Sequence, residues 1–463
     1  MSAETAGHVT EPIATTLQRV FTLVVMLGFM LLLRDGLALV GTRPAPILAT
    51  LALGFLLITS FVAGKVLNGF GLPRITGYIL LGMLAGPGLL GLVTRTDIAQ
   101  LRLIDDIAIS LIALSAGAEL RVRELKESGR TIMSIMSFEM LAVFVVVAGT
   151  VLLLRGLLPF TADRTLLEVA VIALMFGSIA IANSPSVAIA VINDNRSKGP
   201  VTSTILSVTV IKDVVVIVLF AVALSVARTL LSEGGGFDTA FFLDIGREIG
   251  GSILVGAIAG WLISIYLRHV GANMVLFALA VAFINATVAT ELHLEVLLVS
   301  LTAGFFLENI SPVHGDPFVE AVARNSLPIY ALFFALAGAG MHLDELRALW
   351  PFALAFVALR AIAIFAGTAL GARASNAPPE VRRYAWLGFI SQAGVTLGMV
   401  VIAGRAFPEW GAELRTLFVA MVAIHELIGP VALQYGLRAS GEVGQRDVRP
   451  ADREETEQAH TAP

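Results

Sequence analysis

The 463-residue sequence has no cysteine, which excludes disulfides and thiolate metal sites. It is also poor in charge. Asp, Glu, Lys and Arg together make up 14%, against roughly 25% in a soluble domain. Lysine occurs only as Lys65, Lys126, Lys198 and Lys212, and arginine supplies the remaining positive charge. The net charge of −4 is unremarkable, and nucleic acid is not expected as a partner. Hydrophobic residues make up 57%, and the mean hydropathy is +0.87. Apolar runs of about 18–25 residues recur along nearly the whole chain, the length a helix needs to cross roughly 30 Å of hydrocarbon. Lipid leaves only helices and closed barrels as spanning structures. The runs do not alternate with period two, so helices are expected.

Apolar helices are predicted at 18–40, 47–68, 74–92, 99–119, 129–155, 165–194, 201–228, 245–267, 272–290, 293–310, 324–342, 346–373, 380–405 and 412–438. The reading is an all-α membrane protein of about fourteen transmembrane helices. Residues 1–46 form an N-terminal segment with an extra helix. Arg34 and Asp35 follow its apolar stretch without an A-x-A site, which favours a helix over a cleaved signal. The membrane domain runs over 47–438, and the charged, proline-containing stretch 439–463 reads as a disordered cytoplasmic tail. The one polar insert, Ser232 to Arg247, is too short for a second domain. Lys and Arg are in modest excess in loops such as those holding Arg121, Arg123, Lys126 and Arg130. This places both termini in the cytoplasm. The Ala, Gly, Val and Leu richness fits a GC-rich bacterial genome, hence a bacterial inner membrane.

Within that domain the sequence repeats itself. AGAELRVREL, Ala116 to Leu125, resembles AGAGMHLDEL, Ala337 to Leu346. The same register sets Glu139 opposite Arg360. Further on, IKDV (Ile211 to Val214) falls opposite IHEL (Ile424 to Leu427). One helix earlier, each copy carries a polar break: ANSPS (Ala182 to Ser186) and SQAG (Ser391 to Gly394). The copies cover about 47–228 and 272–438, six helices each, with helix 245–267 between them. Seven helices separate their starts, an odd number, so the copies are inverted in the membrane. Inverted repeats with interrupted helices mark secondary transporters, with the site near the midplane.

Ionisable residues in mid-helix cost about 2.5–3.5 kcal/mol each on insertion scales and point to function. Asp213 and Lys212 sit in VTVIKDVVVIVLF, Glu139 in MSFEMLAVFVVV, Arg360 in FVALRAIAIFAG, and His425 and Glu426 in VAMVAIHELIGPV. Asp213 is the best carrier carboxylate. A carboxylate out of water holds its proton tightly, and a cation nearby displaces it, so one site exchanges the two. Neighbours on a helix do not face each other, so Lys212 takes a different partner. Glu139 is an attractive one, although Arg360 competes for it; the register favours Glu139 and Arg360 as a core ion pair. His425 and Glu426 form a possible second-repeat site. At the breaks, Pro185 removes a backbone donor and Gly394 tolerates unusual dihedrals. Asn183, Ser184, Ser186 and Gln392 would add side-chain oxygens there.

These residues give the chain a resemblance to the monovalent cation:proton antiporter superfamily, the sodium/proton exchangers. GLPRITGYILLGMLAGPGLLGLV (Gly71 to Val93) looks like an early helix of that family. LIALSAGAELRVREL looks like a later helix end. SIAIANSPSVAIAVIND and GFISQAGVTLGMV look like its two crossing, unwound helices. VTVIKDVVVIV occupies the place of its Asp-Asp or Asn-Asp motif. The resemblance implies two crossed discontinuous helices in a core domain, a dimerisation domain, elevator-like movement and a homodimer. It makes Asp213 the essential acid, with Na+ or K+ and H+ as the transported ions. No cofactor and no enzymatic activity are implied. Relatives with two acids in the motif can carry two protons per cation, and those with Asn-Asp carry one. Lys212 departs from both. It keeps two other readings open: a transport-inactive sensor or scaffold, and a carrier of an anionic substrate.

Overall fold

The computed structural model describes residues 13–39, 45–120, 122–158, 160–161, 163–231, 239–312, 318, 322, 327–341, 343–392 and 394–445. Among these residues there is no β-strand. The helices are α1 (Ile13–Leu39), α2 (Ala45–Gly69), α3 (Arg74–Ala85), α4 (Arg95–Gln100), α5 (Arg102–Glu119) and α6 (Val122–Leu153). They continue with α7 (Leu166–Ala180), α8 (Pro185–Asp194), α9 (Pro200–Leu231), α10 (Thr239–His269), α11 (Met274–Glu291) and α12 (Val296–Asn309). The last are α13 (Leu327–Ala339), α14 (Leu343–Ala374), α15 (Pro379–Tyr384), a 3-10 turn (Ala385–Phe389), α16 (Gly394–Ala406) and α17 (Gly411–Ala439). Eight described helical segments are long and apolar enough to cross a bilayer, with shorter apolar helices such as α3, α12 and α13 between them.

Local chemistry sets several boundaries. α3 stops at Ala85, short of the expected 92. Gly86 caps it by donating its N–H to the Gly82 carbonyl, and Pro87 follows. A capping box on Thr94 and Asp97 opens the separate short helix α4. A second box, Thr165 with Glu168, opens α7. The two expected interruptions are true breaks. α7 ends before Ile181, and α8 restarts at Pro185 in its first turn with Ser184 as N-cap. The second run is not helical over Ile390, Ser391 and Gln392.

The molecule packs as two halves. One holds α6–α9 and α14–α17 around an apolar core that also takes in side chains of α3, α5 and α13. The other joins α1, α2, α3 and α13 on one side to α5, α10, α11 and α12 on the other. An approximate two-fold relation runs through both. α3 and α13 touch backbone to backbone, and a Cβ on Gly82 would strike the Ala335 carbonyl. α5 and α12 do the same, with Gly304 against the Leu114 carbonyl. Small residues allow helices this close approach in lipid. The glycines of the repeated AGA sequence serve equivalent contacts: Gly117 meets Leu301, and Gly338 meets Ile79.

The segment after α17 departs from the expected disorder. Glu442 is 5% exposed. Its carboxylate accepts the N–H groups of Val201 and Thr202 at 2.7 Å each, together with the Thr202 hydroxyl. The first amides of a helix lack intrahelical partners, so an acid from the C-terminal segment caps α9. Residues 446–463 lie outside the described residues.

Candidate functional site

The two breaks meet in the core half. The Ser184 N–H donates to the Ser391 carbonyl at 2.9 Å, joining one interruption to the other. Two half-helices end here with free carbonyls, and Arg360 of α14 reaches both. Its Nε donates to the Ala180 carbonyl at 2.7 Å and its Nη2 to the Ala182 carbonyl at 2.7 Å. Nη1 donates to the Ile390 carbonyl at 2.8 Å, and Nη2 also approaches the Phe389 carbonyl at 3.4 Å. A helix C-terminus carries partial negative charge. The guanidinium fork supplies five donors in fixed geometry, so one arginine serves both ends.

Glu139 is therefore not paired with Arg360, which corrects the ion pair expected from the repeat register. Glu139 pairs with Lys212: Nζ donates to Oε1 at 2.9 Å and to Oε2 at 2.7 Å, and both side chains are fully buried. The physical reason is competition. The carbonyls of both breaks hold the guanidinium, while Lys212 points to α6. The Lys212 ammonium also lies 5.7 Å from the Phe389 ring centroid, beside the second break. His425 takes the matching place in the other repeat, its Nε2 lying 3.4 Å from Arg360 Nη1.

With Lys212 turned to α6, Asp213 is left with a different environment. It is 6% exposed, and its Oδ1 has no hydrogen-bond partner among the described residues. Thr209, one turn earlier on α9, accepts from Asn183 Nδ2 at 3.1 Å, which ties the first break to the helix bearing Asp213. Asn183 Oδ1 and both polar atoms of Gln392 likewise lack partners among the described residues. Ser184 is spent as the α8 cap, and Ser186 is buried in the first turn of α8. Glu426 is 4% exposed with Oε2 unpartnered. The structure thus brings Asn183 to the Asp213 helix and Lys212 to Glu139, and it separates the side chains of Asp213 and Lys212. Thr209 was missed, although its i, i+4 spacing to Asp213 was readable. Glu295 was missed too, because an acid at a helix start reads as interfacial. It opens α12, whose Leu297 and Leu301 share an apolar cluster with Val210, one turn before Asp213.

A helical membrane protein with two interrupted helices joined at their breaks, and a buried acid beside them, is a secondary transporter in architecture. The family model described as "Sodium/hydrogen exchanger, transmembrane" matches residues 20–436, and the chain belongs to that family, the monovalent cation:proton antiporters. Among curated proteins it is similar to the Na(+)/H(+)-K(+) antiporter GerN of Bacillus cereus. The two are 23% identical over 401 residues, covering 83% of this chain and 95% of GerN. Among solved structures it resembles the sodium proton antiporter MjNhaP1 of Methanocaldococcus jannaschii. The structure at pH 8 gives a TM-score of 0.59 at 17% identity, and the electron-microscopy structure gives 0.62 at 19%. Each covers 85% of this chain and 96% of that one.

Proposed function

We propose that this family member exchanges Na+ or K+ for H+ at Asp213, one proton for one cation. The observation that carries the proposal is the contrast among the buried charges. Lys212 and Glu139 satisfy each other, and Arg360 is saturated by four backbone carbonyls. Asp213 keeps an oxygen without a partner, next to a break with an unused amide oxygen on Asn183. A cation and a proton compete for such a carboxylate. With Lys212 locked to Glu139, it is the one motif group free to take either. Asn183 and Gln392, whose amide oxygens lack partners among the described residues, are available to furnish oxygens as the ion seats.

The same contrast argues against an anion carrier. Of the two cations that would attract an anion, Lys212 is paired with a carboxylate and the Arg360 donors are taken up by backbone carbonyls. In this reading the core half, α6–α9 and α14–α17, moves against the other half to expose Asp213 alternately. The protein works as a homodimer in a bacterial inner membrane with both termini cytoplasmic.

Purified protein in liposomes holding a pH gradient tests this. Adding Na+ or K+ collapses the gradient, adding an anion at constant cation does not, and a supported membrane records no sustained current. Collapse driven by an anion, or a current following the cation gradient, contradicts the reading.

A further inference from the structure

Glu295 is the N-cap of α12, in the half of the molecule that does not carry Asp213. Its Oε2 accepts the Leu298 N–H at 2.7 Å, which is the capping bond of the helix. Its backbone is pinned from α10: the Glu295 N–H donates to Ser252 Oγ at 3.1 Å, and that hydroxyl donates to the Glu248 carbonyl. Across the seam, Val210, one turn before Asp213, shares a buried apolar cluster with Leu297 and Leu301 of α12 and Ala113 of α5. The start of α12 therefore packs close to the stretch of α9 that bears Asp213. Glu248 of α10 and Asp106 of α5 are the other acids near Glu295. The independent mark of a ligand position is Asp213 itself, nine-tenths buried with Oδ1 unpartnered. Lys212 has removed the neighbouring acid of the motif, and Glu295 offers a negative charge from the opposite half.

We propose that Glu295 is a specificity-determining residue that strengthens monovalent-cation binding at Asp213 from one side of the membrane only, the side on which α12 begins. This rests on the reading of Asp213 as the carrier. Because Glu295 and Asp213 belong to different halves, relative movement of the halves separates them. The added attraction then exists in one access state and not in the other. It falls off with distance as a Coulomb interaction does, which makes it a property of the seam and not of the carrier helix.

Glu295→Gln is the informative variant. The amide oxygen still accepts from Leu298, so the cap survives while the charge is lost. Cation-dependent proton flux is measured in right-side-out and everted vesicles with Na+ and with K+, alongside Asp213→Asn. Glu295→Gln is expected to raise the apparent KM on the α12-start side by on the order of tenfold, the scale of one charge at several ångströms and an effective dielectric near 20. KM on the other side and the maximal rate should stay unchanged. A KM unchanged on both sides, or raised equally on both, overturns the proposal. If Asp213→Asn abolishes exchange while Glu295→Gln changes nothing, the assignment of Glu295 fails and the carrier reading stands. If Asp213→Asn exchanges normally, the carrier reading fails first.

Discussion

At the scale of single residues, the buried charges sort themselves by geometry. Lys212 and Asp213 are adjacent on α9, about 100° apart around the helix, so they cannot share a partner. Lys212 goes to Glu139, and Asp213 is left buried with an oxygen that has no partner among the described residues. Removing one member of a buried pair strands the other charge and costs about 3–5 kcal/mol, whereas replacing both with apolar groups is often neutral or stabilising. Glu139→Gln should therefore lower thermal stability sharply, and Glu139→Leu combined with Lys212→Met should recover most of it. Melting curves of the purified variants read this directly; additive losses in the double variant would show that the pair contributes nothing. Part of this arrangement was legible in the sequence. Each mid-helix charge could be named, and Glu139 was recognised as a partner for Lys212. The choice between Lys212 and Arg360 was not legible, because the repeat register sets Glu139 and Arg360 at equivalent places. What decides it is the cluster of carbonyls at the breaks, a feature of folded backbone that no residue type announces.

At the scale of elements, the interruptions were readable because they rest on local chemistry. Pro185 with Ser184 before it is a helix start, and the SQAG run carries polar and glycine residues in an otherwise apolar span. The capping of α9 by Glu442 was not readable, since its partners Val201 and Thr202 lie some 240 residues away in sequence. The segment's charge and lack of periodicity read as disorder, while its acid is held by tertiary hydrogen bonds. Losing an N-cap costs about 1 kcal/mol and at most about 2. Glu442→Ala should lower stability by that amount, and Glu442→Gln by less, because its amide oxygen still accepts from the α9 amides. Equal stability of wild type and Glu442→Ala in a denaturation series would show that the cap contributes nothing to holding α9.

At the scale of the whole molecule, the inverted repeat links sequence to function. The AGA glycines, the two breaks and the IKDV and IHEL segments recur in register, and the folded halves show the corresponding contacts in α3 with α13 and α5 with α12. The two copies differ where charge matters. The first repeat pairs Lys212 with Glu139, the second sets Arg360 near His425, and Asp213 has Glu426 as its counterpart. In the proposed mechanism this approximate symmetry supplies two related arrangements of the halves, and the charge differences leave one carrier acid to be exposed in turn. In that mechanism the acid is Asp213. The most direct test is cation-driven proton flux by purified Asp213→Asn in liposomes, since asparagine keeps the volume and removes the exchangeable charge. The variant should fold and show no Na+- or K+-dependent proton movement; full exchange by it would mean that another group carries the ion.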